Sequence, residues 1–214
     1  MNEFFKGVAP YPIMGQSYSL SDFKEIKLND ILVSEGTSFN SALKMYCNLH
    51  GVKLLYGGYL EKREIYNEFD LFQTETTRRN IHLGVDVWAP EDHKIFLPIE
   101  GVVHSFKDNK EPGSYGPTII IQHSYKGETF FTLYGHLSRS SLDEHYAGKL
   151  IEKGTSFASL GDSKVNGGYA PHLHFQVIKN VENYYGDFPG VCSEEELESY
   201  KACCPNPLDL INFN

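Results

Sequence analysis

The sequence predicts a mainly β protein, an antiparallel sheet or sandwich with short flanking helices, on three observations. From about residue 81 onward, short runs rich in β-branched and aromatic residues recur, among them IEGVVHSF, PTIIIQHS, GETFFTLYGH, GKLIEKG and PHLHFQVI. Gly and Pro punctuate these runs at nearly regular spacing, the mark of an antiparallel arrangement and not of a βαβ series. Aromatic residues make up 14% of the chain, which favours strands over a helix bundle.

The β core is expected over residues 78–180. Before it, residues 1–77 read as an accessory region holding one helix and one hairpin. Ser38 caps the helix, Phe39, Leu43, Tyr46 and Leu49 share a face, and Gly51 closes it. The hairpin would be KLLYGGYLEKREIY, two strands about a Gly-Gly turn. Residues 181–214 form a tail expected to pack on the core. Ser193 and Glu196 make a capping-box pattern there, so a short helix should run to about Ala202 and stop before Pro205.

With 214 residues and 41% hydrophobic content, the chain can bury a core without disulfides. Its four cysteines (Cys47, Cys192, Cys203, Cys204) fit neither a disulfide framework nor a zinc ribbon and read as reduced thiols, a pair within the tail being the alternative. A net charge of −9 argues against nucleic acid or an anionic membrane as partner. No apolar run is long enough to span a bilayer and no secretory leader is visible, so a cytoplasmic location is expected.

Three short motifs hold candidate chemistry. In His82-Leu-Gly-Val-Asp86 the two polar ends would lie about 13 Å apart on a straight strand. They can share one ion only if the backbone folds between them, for which Gly84 offers the dihedral freedom. Val85 and Val87 then face away from Asp86. In His172-Leu-His174-Phe175, strand alternation puts both imidazoles on one face, about 7 Å apart, and Leu173 and Phe175 on the other. The third is Tyr134-Gly-His136, which ends a strand. Taken singly, each is also compatible with polar surface or a structural histidine.

In this order, together with PIEGVV (98–103), YGPTIIIQH (115–123) and KGTSFASLGDS, these motifs resemble the lysostaphin-like zinc endopeptidases, the glycyl-glycine or murein endopeptidase type. The resemblance runs from about Arg79 to Ile178. It implies a duplicated-hybrid-motif sheet with a groove. One Zn²⁺ would be held by His82, Asp86 and His174, with His136 and His172 catalytic. All five positions carry the expected residue. Two His and one carboxylate leave a fourth tetrahedral position for water, and no Ser, Cys or Thr nucleophile is needed. The implied function is hydrolysis of a peptide or peptidoglycan fragment. A non-hydrolytic His phosphocarrier would not need Asp86 after His82, and an inactive binding module would not need all five residues. NGGYAP before the last motif departs from the Ser/Thr-Gly-Pro common in wall-degrading members, and the tail resembles those of relatives fused to aminotransferases. Tyr115, Tyr134 and Asn166 are further candidates for lining the cleft; His123 reads as structural, and Arg79 as a solvated charge.

Overall fold

The computed structural model describes residues 5–73 and 77–213. Its centre is an eight-stranded sheet built from β1 (Phe23–Glu25), β2 (Leu54–Gly57), β4 (Val85–Trp88), β6 (Gly101–Asn109), β7 (Gly116–Tyr125), β8 (Glu128–Gly135), β9 (Leu150–Ile151) and β11 (His172–Ile178). Their spatial order is β1-β2-β4-β11-β8-β7-β6-β9. Two ribbons flank it: β5 (Lys94–Phe96) with β10 (Ser156–Ser159), and β3 (Ile81–His82) with β12 (Val191–Cys192). The protein is mainly β and its pairings are antiparallel, except that β1 and β2 run parallel. That exception has a local cause: helix α1 (Phe39–His50) carries the chain across between them, as a parallel pair requires.

Helix α1 starts where Ser38 Oγ accepts from the Ser41 N–H, and it ends on Gly51 in the left-handed region at φ 66°. Its buried face is Ala42 and Leu43, with Phe39, Tyr46 and Cys47 partly covered; Leu49, expected on that face, is 80% exposed. The hairpin expected over 53–66 does not form. β2 is its first arm, but both edges of β2 are taken, by β1 and by β4. The following chain instead bridges at Lys62 to Ile81 and turns into a 3₁₀ helix, Glu64–Glu68. In the tail, α2 (Ser140–Asp143) having intervened earlier, α3 spans Leu197–Cys203. The Ser193 N–H and hydroxyl both donate to Glu196 Oε2 just ahead of it. All four cysteines are free thiols. Among the described residues no helix is long and apolar enough to cross a membrane.

Alternation decides which face of the sheet does what. Val85 and Val87 on β4, Ile119 and Ile121 on β7, and Leu173, Phe175 and Val177 on β11 enter the main core with Tyr134. On the opposite face of the same strands stand Asp86, Trp88, His172, His174 and Gln176. The register sets His174 directly across from Asp86 on one side and from Gly135 on the other.

His123 is a core residue, as expected. Its Nδ1 bonds Glu100 O at 2.9 Å and its Nε2 lies 2.7 Å from Thr132 Oγ1. Burial pushes its pKa down to about 4, against the small upward pull of the Glu100 carbonyl. In the unfolded chain an ordinary histidine takes up a proton near pH 6.5. Between pH 6.5 and 4 the unfolded state therefore binds the extra proton, and stability present above pH 6.5 is lost as pH falls. The loss from this residue should be about 3 kcal/mol. Urea unfolding of wild type and His123→Gln at pH 7 and pH 4.5 checks it: the variant should show the smaller acid-induced loss.

Candidate metal centre

His82 and Asp86 come together because the chain changes sheets between them. β3 belongs to the ribbon with β12, whereas β4 joins the main sheet, and Leu83-Gly84 turn the corner. The backbone folds at Gly84 as expected, but without a positive φ. The reason for a glycine is space: a Cβ there would lie 2.7 Å from His174 Cε1 and 2.8 Å from Phe175 O. Glycine lets the corner press against β11 and so brings the third polar side chain in.

The three side chains meet tip to tip. His82 Nε2 lies 2.8 Å from His174 Nδ1, and Asp86 Oδ1 lies 3.3 Å from each of these nitrogens. All three residues are buried, and they are the one group of this kind among the described residues with ligand atoms mutually close enough for one ion. The other ring nitrogens fix the tautomers. His82 Nδ1 sits 3.0 Å from the Gly58 carbonyl, which only accepts, so Nδ1 carries the proton. His174 Nε2 sits 3.0 Å from Gln176 Oε1, whose amide is oriented by donating from Nε2 to Pro189 O. In the neutral imidazole the facing nitrogen of each ring is then the lone-pair side. Asp86 Oδ1 is buried and accepts no hydrogen bond among the described residues. Three donor atoms this close together, each side chain held from behind, suit a cation. Two neutral imidazoles and a carboxylate are the donor set of a catalytic zinc, so the residues fit that ion.

Electrostatics holds the protonation states. Burial works to raise the Asp86 pKa, but His82 and the Arg63 guanidinium overcome it and keep the carboxyl well below the usual range. Burial, helped by Arg63, lowers His82 to about 3, so it is neutral. Arg63 Nη1 donates to Asp86 Oδ2 at 2.5 Å and to Tyr66 Oη at 3.2 Å, while its Nε donates to Glu61 Oε2 at 2.7 Å. One carboxylate oxygen of Asp86 is thus committed to Arg63, and the other is left for the shared point.

His136 and His172 stand beside this set, ring centroids 4.2 Å apart. His172 Nδ1 donates to Ala170 O at 2.7 Å and His136 Nδ1 to Asn166 O at 2.8 Å. Each therefore has an unprotonated Nε2, and that of His172 lies 3.8 Å from Asp86 Oδ1. Burial pushes both pKa values below the usual histidine value; the neighbouring histidines deepen the fall in His136, whereas Asp86 and the Ala170 carbonyl oppose it in His172. His136 has φ 61°, a left-handed conformation that costs a side-chain residue about 1–2 kcal/mol. It is held there by its N–H donating to Tyr115 O and by Gly161 N–H donating to its carbonyl.

Five of the five site residues expected from sequence share one cleft of about 360 Å³. Of the further candidates, Tyr115 lines it and donates to Phe188 O. Tyr134 does not: it is fully buried in the core. Asn166 is also fully buried and acts on the cleft only through its carbonyl on His136. Arg79 donates to Leu71 O at 2.6 Å at the cleft margin and is not merely solvated. Arg63, Tyr66, Trp88 and Gln176 were not legible as site residues. Gln176 had a usable signal, being the third member of the His172/His174 alternation.

Residues 80–185 match the profile of peptidase family M23. Over these residues the chain carries a peptidase family M23 domain. That domain contains His82, Asp86, His136, His172 and His174, whereas Arg63 and Tyr66 precede it. Among solved structures, a variant of the catalytic domain of the prophage-encoded M23 protein EnpA from Enterococcus faecalis is 20% identical, with TM-score 0.41, covering 55% of this chain and 85% of that one. The catalytic domain of the antimicrobial peptidase lysostaphin from Staphylococcus simulans is 20% identical, with TM-score 0.39, over 57% of this chain and 80% of that one. A zinc-containing peptidase from Vibrio cholerae is 26% identical, with TM-score 0.37, over 49% of this chain; the match spans 29% of that protein's length. No curated protein matches the chain.

Proposed function

We propose that this M23 domain is a zinc-dependent peptidase that hydrolyses a peptide bond with water. The observation that carries the reading is the convergence of His82 Nε2, His174 Nδ1 and the unpartnered Asp86 Oδ1 beside the bare Nε2 of His172. Zinc held by those three residues would supply Lewis-acid chemistry, acidifying a water and polarising a carbonyl. His172, nearer the ligand set, takes a proton at Nε2 from the attacking water and passes it to the leaving amine. His136 would stabilise charge growing on the scissile oxygen by taking a solvent proton at Nε2 while its Nδ1–H stays on Asn166 O, an uptake that the developing negative charge favours. Tyr169 and Trp88 pack on His172 and keep its ring in place, at centroid distances of 5.8 Å each. The side chains of all five site residues are buried, which strengthens each of these interactions.

The substrate fits a short peptide or a free peptidoglycan fragment better than an intact wall. A surface carrying anionic polymers would repel a chain of net charge −9 over roughly a Debye length, about 8–10 Å. The test is elemental analysis of protein purified without chelator, paired with mass-spectrometric detection of products from soluble peptides and muropeptides. About one zinc per chain, and cleavage abolished by chelator and restored by zinc, is the expected result. A protein that binds no divalent metal and leaves every peptide intact would sink the reading.

A further inference from the structure

The wall of the cleft that faces the histidines comes from outside the family domain, and it is carbon. Leu28, Phe39, Ile65, Phe69 and Phe72 lie ahead of residue 80 and line the same cavity as His82, Asp86 and His174. Trp88, two residues past Asp86 on the same strand face, continues that surface and stacks on His172 at 24° between planes. Of the two charged groups on this side, Arg63 is turned away into Asp86 and Glu61, and Arg79 stands at the margin, donating to Leu71 O. The segment also reaches the far wall. Phe69 packs on Tyr169, centroids 5.5 Å apart, and presses so close to Gly113 that a Cβ there would meet Phe69 Cγ at 2.6 Å. The cleft is thereby bridged. Its volume, about 360 Å³, is at the small end of ligand pockets.

We infer that this pocket selects peptides carrying a bulky apolar side chain, of leucine or phenylalanine size, next to the scissile bond. The inference rests on the peptidase reading for the bond that is cut, but the pocket itself can be tested without turnover. A glycine or a sugar offers no carbon surface to bury against Phe39, Ile65 and Trp88. An apolar side chain placed there leaves water for a closely packed wall, and the gain is of the size of a buried Leu or Phe. Phe69 across the cleft limits the occupant to a short stretch of chain.

Trp88 is the chain's single tryptophan, so its fluorescence reports occupancy directly. Acetylated tripeptide amides Gly-X-Gly, with X as Gly, Ala, Leu or Phe, are titrated into the zinc-loaded protein, and hydrolysis of the same series is followed by mass spectrometry. Kd should fall about 10- to 100-fold from X = Gly to X = Leu or Phe. The double variant Phe39→Ser/Ile65→Ser should flatten that series, with zinc content measured to show that the site is assembled. Equal affinities across the wild-type series, or a preference for glycine, would overturn the inference, and so would an undiminished preference in a folded double variant. If that variant does not fold, the wild-type series decides alone. Apolar preference in binding with no hydrolysis would remove the peptidase reading and leave the pocket assignment standing. Hydrolysis without side-chain preference would do the reverse.

Discussion

His82→Ala, Asp86→Ala and His174→Ala should each lose the metal and all measurable hydrolysis, whereas His136→Ala and His172→Ala should keep the metal and lose turnover by about 10²-fold or more. The division follows from which atoms converge. Removing any of the first three leaves two protein donors, too few to hold zinc in a catalytic site. Removing either of the others leaves all three donors and their supports at Gly58, Gln176 and Arg63 in place. What disappears is a proton acceptor or a charge-stabilising group, whose usual worth is two orders of magnitude or more. Elemental analysis and initial rates on one validated peptide check the two classes together. Full zinc occupancy in His174→Ala would break the ligand assignment, and near wild-type turnover in His172→Ala or His136→Ala would remove that residue from the chemistry.

The parts of this site that were legible in the sequence are those encoded by strand alternation and short spacing. VDVW and HLHFQV each put apolar residues on one face and polar ones on the other, and in the fold those faces are core and cleft. The caps at Ser38 and Gly51 were legible for the same reason, since a helix end is satisfied by residues within a few positions. What was not legible depends on contacts distant in sequence. Arg63 acquires its role from Asp86, 23 residues on. In EKREIY it sits in an alternating run that reads as the second arm of a hairpin. That arm fails because both edges of β2 are already paired, by strands that a local window does not see. The Gly57-Gly58 pair that suggested a hairpin turn answers to the same distant contacts. A Cβ on Gly57 would meet Ile26 O at 2.1 Å, and one on Gly58 would meet Arg63 Nη2 at 1.9 Å. Glycine signals that some other group must come close to the backbone; it does not say which. Gly84 stands at the fold expected of it, but its need to leave room for His174 was not legible.

Arg63→Met should destabilise the metal-free protein by about 3–5 kcal/mol and the zinc-loaded protein by much less. Among the described residues, Arg63 is the one Lys or Arg paired with Asp86; the three histidines within 4 Å of that carboxylate present bare nitrogens. Without the guanidinium, the metal-free protein must bury a carboxylate that is 2% exposed with no compensating charge. Methionine keeps much of the packing against Trp88, so the loss is electrostatic before it is steric. A zinc ion on Asp86 Oδ1 supplies the missing positive charge, and the loaded variant escapes most of the penalty. Linkage then fixes a second observable. Because the variant loses less stability when loaded, folded Arg63→Met must bind zinc more tightly than wild type by the same difference. Thermal unfolding of chelator-treated and zinc-saturated protein, wild type and variant, measures all four corners of the cycle. The zinc-induced rise in melting temperature should be larger in the variant. An equal loss with and without zinc would mean that Arg63 and the ion do not share Asp86. A smaller zinc-induced rise would mean that orienting the carboxylate for the metal is worth more than the charge Arg63 withdraws from it.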